Sequence, residues 1–161
     1  EITERFKMEI LLQNKYLAGS IDLLDSMYLS AQKSRARTKL LHLVRAMGEQ
    51  LSESEYELLK EYAILTPDGA PAIDVDGNAT LKDPSKSGEY NKLRESLLDE
   101  YAQISGPTFD NHEAVMLDAL LNYEDRLSGT QAEAYDALCD ALEKALAKNT
   151  PPLEEAPPKE E

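Results

Sequence analysis

The chain predicts a mainly α fold: an irregular bundle of five to six helices with a small β-hairpin insertion near residues 63–81. Three observations carry that expectation. Apolar residues recur at three- and four-residue spacing through most of the length, as one face of a helix requires. Ser, Thr or Asp is followed three residues later by Glu at several places where such a pattern begins, which is how helix starts read. The core must be filled by Leu, Ala and Tyr, since the chain has no Trp and only 2 Phe, and Leu and Ala favour helices over sheets.

The elements follow in order. FKMEILL, Phe6 to Leu12, reads as a short strand or as the lead into the first helix. Leu17, Ile21, Leu24 and Tyr28 then fall at helical spacing. The next helix has the stripe Leu40, Val44, Met47 and Leu51, which sets Arg35, Lys39, His42 and Arg45 on the opposite side. Lys33 and Arg37 lie nearer its apolar edge. Ser52 with Glu55 reads as a capping box that opens a further helix, with Leu58, Leu59 and Tyr62 facing inward. The character changes at AILTPDGAPAIDVDGNATLKDP. Pro67-Asp68-Gly69 and Asp76-Gly77-Asn78 are turn signals between short alternating runs. Ala63–Thr66, Ala72–Val75 and Ala79–Leu81 therefore read as two or three short strands of a hairpin or small meander. A lone hairpin is marginal in water, so this one is expected to rest on the helices or to pair with the N-terminal strand. The second arrangement would make the class α+β.

Tyr90, Leu93, Leu97, Tyr101 and Ile104 mark another helix, with Gly106-Pro107 as its stop. Asp110 with Glu113 opens a helix lined by Met116, Ala119, Leu120 and Tyr123. Thr130 with Glu133 opens one lined by Tyr135, Leu138, Leu142 and Leu146, and Lys144 and Lys148 complement the dipole near its end. Residues 1–148 read as a single helical domain. The last stretch, NTPPLEEAPPKEE (149–161), has four prolines and four glutamates and nothing to build a core, so it reads as a flexible acidic tail.

Charge narrows the function classes. The formal net charge is -14, which opposes general affinity for nucleic acid or an anionic membrane, both polyanions. No run approaches the ~20 apolar residues that span a bilayer, and EITERFKMEILLQNKY lacks the apolar segment of a signal peptide. Cys139 is the only cysteine, so no internal disulfide forms and a reducing compartment is expected.

Against that acidic background AQKSRARTKLLHLVRAM, Ala31 to Met47, carries Lys33, Arg35, Arg37, Lys39 and Arg45 and no acid. Cations early in a helix oppose its macrodipole, so they are not there for helix stability. They form either a docking patch for an acidic or phosphate-bearing partner or the internal counter-charge to the 13 acids between Glu89 and Glu143. No other motif carries chemistry. Aligned on Gly77, a calcium loop would need ligands at Ala72 and Asp83, so Asp74-Val75-Asp76-Gly77-Asn78 reads as a turn. His112 with Asp110 and Glu113 lie together on a first turn without converging, which speaks against a metal. Cys139 stands beside Asp136 and Asp140, which disfavour a thiolate. Ser34 and Thr38 have no base with an orienting acid, and no Gly-rich phosphate loop exists. No catalytic, cofactor or metal site is expected. Tyr56, Tyr62, Tyr90, Tyr101, Tyr123 and Tyr135 fall mostly on apolar stripes, with one or two available for a binding face.

The combination of SRARTKLLHLVRAM, LSESEYELLKEYA, the DGN turn and LDALLNYEDRLSGTQAEAYDALCDALE resembles a family of small phage and prophage proteins of unknown function from Gram-positive bacteria. The resemblance covers roughly Lys7 to Ala147. It implies a phage protein acting inside the host cytoplasm and supplies no catalytic residues. The expected function is a non-catalytic accessory protein that binds a host or phage protein. Its sharpest form is an inhibitor of a host nucleic-acid-handling or defence (anti-CRISPR-like) complex, with carboxylates around Leu93–Leu142 imitating phosphates. The alternatives are a virion or tail assembly accessory protein or chaperone, local nucleic-acid contact through residues 33–45, and a hydrolase built on carboxylates that form no recognisable motif.

Overall fold

The computed structural model describes residues 8–148, so the tail expected at 149–161 lies outside the described residues. Among the described residues the chain forms strand β1 (Ile10–Gln13), helices α1 (Leu17–Ser26), α2 (Ala31–Tyr62) and α3 (Ser87–Asp99), strand β2 (Tyr101–Ile104), and helices α4 (Glu113–Leu121) and α5 (Gly129–Lys148). The fold is mainly α with a small antiparallel β element, as the helical spacing predicts.

β1 lies within the expected apolar region and alternates with period two: Ile10 and Leu12 are buried and Leu11 is exposed. Its partner is not the turn-rich segment. It pairs antiparallel with β2, from Ile10 opposite Ile104 to Gln13 opposite Tyr101. This corrects the helical reading of Tyr101 and Ile104. The reason is at the end of α3. Asn14 Nδ2 donates to Leu97 O at 2.9 Å and Gln13 Nε2 donates to Asp99 O at 3.1 Å. The Asn14 N–H donates to Glu100 O at 2.9 Å. The last carbonyls of a helix have no internal partner, and these are satisfied by a segment far away in sequence. The helix stops at Asp99, and Gly106-Pro107 has another use. Gly106 lets the backbone pass α2, where a Cβ would meet Leu43 Cδ2 at 2.8 Å.

The interior lies where α1 and α4 pack on α2 and α5. Leu23, Leu24, Leu40, Val44, Met116, Leu120, Leu138 and Leu142 are fully buried there. Each such side chain contributes about 1.5–3 kcal/mol through burial. Tyr135, on the expected stripe of α5, donates its hydroxyl to Leu120 O at 2.6 Å, which ties α5 to the end of α4. Two expected caps are not used. α4 begins after His112 with no side-chain cap; Asn111, at φ +71, turns the chain, and Glu113 is buried in the first turn. α5 begins at Gly129, so Thr130 sits inside its first turn. Tyr28, which extends the α1 spacing, lies beyond that helix and is 93% exposed.

α2 is continuous through Ser52 and Glu55, which corrects the expected break. Nothing between Glu49 and Tyr62 interrupts a helix; the run is rich in Glu and Leu, and both propagate it well. At 32 residues it is about 48 Å long. Its buried residues, Ala36, Leu40, Leu41 and Val44, all belong to the first half. Met47 and Leu51 still pack against the core; beyond Leu51 the helix leaves the body and forms an arm with α3, which has no buried residue of its own. Leu58, Leu59, Tyr62, Leu97 and Leu98 of the two helices are only half-buried, and the Tyr62 and Tyr90 rings stand 5.7 Å apart. The tip of the arm is the expected small meander, held by the antiparallel bridges Ala63–Leu81, Leu65–Pro71 and Ile73–Ala79. Gly69 and Gly77, both at φ +83, close its two turns in a conformation glycine adopts without steric cost.

The contact of α1 with α5 gives a direct test of the packing. A Cβ on Gly19 would stand 2.6 Å from Thr130 O and 3.1 Å from Ala134 Cβ. Gly19→Ala should destabilise the protein by about 1–3 kcal/mol in urea unfolding, the usual range for overpacking. Gly88→Ala, where nothing lies within 4 Å, should be neutral or stabilising by less than ~1 kcal/mol.

Candidate functional site

The five bases of residues 31–47 have different surroundings. Arg37 reaches back to the end of α1, where its Nη1 donates to Leu24 O at 2.8 Å and to Met27 O at 2.7 Å. Its Nη2 donates to Ser34 Oγ at 2.9 Å. Arg37 is therefore the C-terminal cap of α1, supplied by the neighbouring helix. Lys33 pairs with Asp118 of α4 at 3.1 Å, and Arg45 pairs with Asp25 of α1 at 3.3 Å. Both are surface pairs, worth about 0–1 kcal/mol each. Arg35 is exposed and Lys39 half-buried, and neither has a hydrogen-bond or ion-pair partner among the described residues. With exposed His42 they form a narrow basic strip on the solvent side of α2.

The other chemical candidates are occupied. Asp74 Oδ1 accepts from the Asp76 and Asn78 N–H groups at 2.9 Å each, so it holds a turn together. Phe109 and His112 stack at 6.4 Å. Cys139 is buried. Burial pushes its thiol pKa up; a hydrogen bond with Tyr135 pulls the other way, and Glu143, Asp136 and Asp140 add to the rise. A thiol so placed is a poor nucleophile. Among the described residues no group of His, Cys, Asp and Glu is placed to hold a metal ion, and no helix is long and apolar enough to cross a membrane.

The arm is the feature that sequence reasoning missed. Residues 49–99 hold twelve acids against five bases. They also carry six of the ten exposed large apolar side chains among the described residues: Tyr56, Ile64, Leu65, Ile73, Val75 and Leu93. Between α2 and α3 runs an open groove with Leu58, Leu93 and Leu97 as its floor and Glu53, Glu57 and Glu61 along one rim. A sequence signal was available. Glu53, Glu57 and Glu61 fall at four-residue spacing and so line one helix face, but only if α2 runs unbroken past Ser52.

Two outcomes separate structural from surface charge. Arg37→Ala should cost about 1–3 kcal/mol by chemical denaturation, because two carbonyls lose a charged donor. Arg35→Ala with Lys39→Ala should stay within ~0.5 kcal/mol of the parent. For Cys139, alkylation by iodoacetamide at about pH 8 should be at least about tenfold slower in the native protein than in urea, as a buried, protonated thiol requires.

Comparison with known proteins places the whole described chain in one family. The sequence model of a protein of unknown function, DUF1617, matches residues 8–148. No curated protein and no solved structure matches the chain.

Proposed function

The chain belongs to the DUF1617 family, and from that premise we propose that it is a non-catalytic phage accessory protein that acts in the host cytoplasm by binding another protein. The observation that carries this reading is the composition of the arm. Single exposed apolar residues are normal on any surface, but here six gather on one projecting element among twelve acids. Apolar anchors set in a charged surround are how interfaces are built.

The sharper form of the proposal is inhibition of a host nucleic-acid-handling or defence complex. Glu133, Asp136, Asp140 and Glu143 are all exposed on α5. Their spacing puts them along one face over about 15 Å of helix, where they can stand in for phosphates. A role in virion or tail assembly is the second reading; Ile73 and Val75 at the tip of the arm favour it, being 56% and 102% exposed and suited to burial under a structural partner.

The test is affinity capture of the tagged protein from nuclease-treated host lysate and from infected cells. One enriched host protein is expected, and reversal of Glu133, Asp136, Asp140 and Glu143 to Lys should abolish its capture. Unchanged affinity in that variant sinks the phosphate-mimic form. Enrichment of virion proteins instead moves the reading to assembly, and nothing above the untagged control removes the binding reading altogether.

A further inference from the structure

The groove between α2 and α3 has two properties that its own fold does not explain. Its floor of Leu58, Leu93 and Leu97 is only partly covered: Leu58 and Leu97 are half-buried and Leu93 is 43% exposed, although Leu93 and Leu97 stand one turn apart on α3, the spacing that normally buries a stripe. Its rim is a row of like charges. Glu53–Glu57 and Glu57–Glu61 are both i,i+4 pairs of acids, each of which destabilises an isolated helix. Glu61 also lies in the last turn of α2, where negative charge opposes the macrodipole. Lys60 pairs with Glu57 at 3.0 Å and its ammonium lies 5.2 Å from the Tyr56 ring centre. Glu53 and Glu61 have no ion-pair partner among the described residues.

We propose that this groove is a docking site for an amphipathic helix of a foreign protein, one that carries Lys or Arg along the flank of an apolar stripe. The inference rests on the protein-binding reading and names its surface and partner class. The leucine floor takes apolar anchors one helical turn apart, in the manner of a helix seated in a groove. The three carboxylates, spread over about 12 Å of α2, face the partner's cations. A second copy of this chain meets only half of that requirement. Its basic strip, Arg35, Lys39 and His42, matches the acidic rim. The largest exposed apolar residue between Ala31 and Ala46 is alanine, however, so the floor would stay uncovered.

The test uses a synthetic peptide of about 18 Leu and Lys residues in helical amphipathic order, long enough to fold on binding. A Leu/Glu peptide of the same pattern is the control. Calorimetry should show one Leu/Lys peptide bound per chain and no binding of Leu/Glu. Glu53→Gln, Glu57→Gln and Glu61→Gln together should weaken binding about tenfold or more, as should Leu93→Asn alone. All four positions are exposed, so circular dichroism should show both variants folded. A matched triple of exposed acids elsewhere, Glu9→Gln, Asp22→Asn and Glu124→Gln, should bind like the parent. Equal loss in both triples would mean that the peptide follows net charge alone, and would overturn the groove. Absence of binding overturns it as well. Sedimentation that shows a parent dimer broken by the groove variants would assign the groove to a second copy and overturn the foreign-helix assignment. Capture of a natural partner that survives the groove variants would remove this site and leave the protein-binding reading intact.

Discussion

Everything beyond the helical body depends on the antiparallel closure of β1 on β2. Its register joins Ile10–Gln13 to Tyr101–Ile104, and in doing so it decides where the arm ends. Gln13 and Asn14 take the last carbonyls of α3, so the chain leaves the helix at Asp99 and returns to the body as a strand. A pairing that spans this much sequence has a large closure entropy to overcome. The cost is lowered because α2 and α3, running out and back, already bring the two ends together. Ile10, Leu12, Ala102 and Ile104 then bury the inner face of the ladder.

α2 is the other shared part. One uninterrupted helix belongs to the core through Ala36, Leu40, Leu41 and Val44 and to the arm through its second half. The arm's direction is therefore set by the core and not by a flexible joint. Stability is distributed unevenly along it, since buried apolar contact falls away after Val44, and regions with little such contact open first. The half-buried layer of Leu58, Leu59, Tyr62, Leu97 and Leu98, with Asn14 and Gln13 holding the end of α3, is what keeps the arm folded.

How much of this was legible in the sequence follows from where each determinant lies. The stripes of α2 and α5 and the Gly69 and Gly77 turns are local signals, and each appears where the spacing places it. β2 was not legible, because Tyr101 and Ile104 fit a helical repeat and the donors that end α3 sit 83 and 86 residues away. Ser52 with Glu55 resembles a helix start, yet the same pair is unremarkable within a helix when no breaker precedes it. The basic stretch was legible as an anomaly and not as a set of roles. Only the structure separates Arg37, bound to Leu24 O and Met27 O, from Arg35, which has no such partner.

The charge layout of α2 argues that its two ends are shaped by different demands. Bases crowd its first half and acids its second, the reverse of what the macrodipole favours at either end. In the first half the fold supplies a reason. Arg37 caps α1, while Lys33 and Arg45 reach Asp118 and Asp25, so three of five cations tie neighbouring helices to α2. The second half has no matching return: Glu53 and Glu61 touch no cation among the described residues, and Leu93 in the same groove is exposed. The two like-charge pairs on α2 and the exposed Leu93 of α3 in the same groove lower the stability of the isolated protein. A stretch so arranged is explained by what it meets in a complex, where cations and apolar side chains from outside turn each of those costs into a contact.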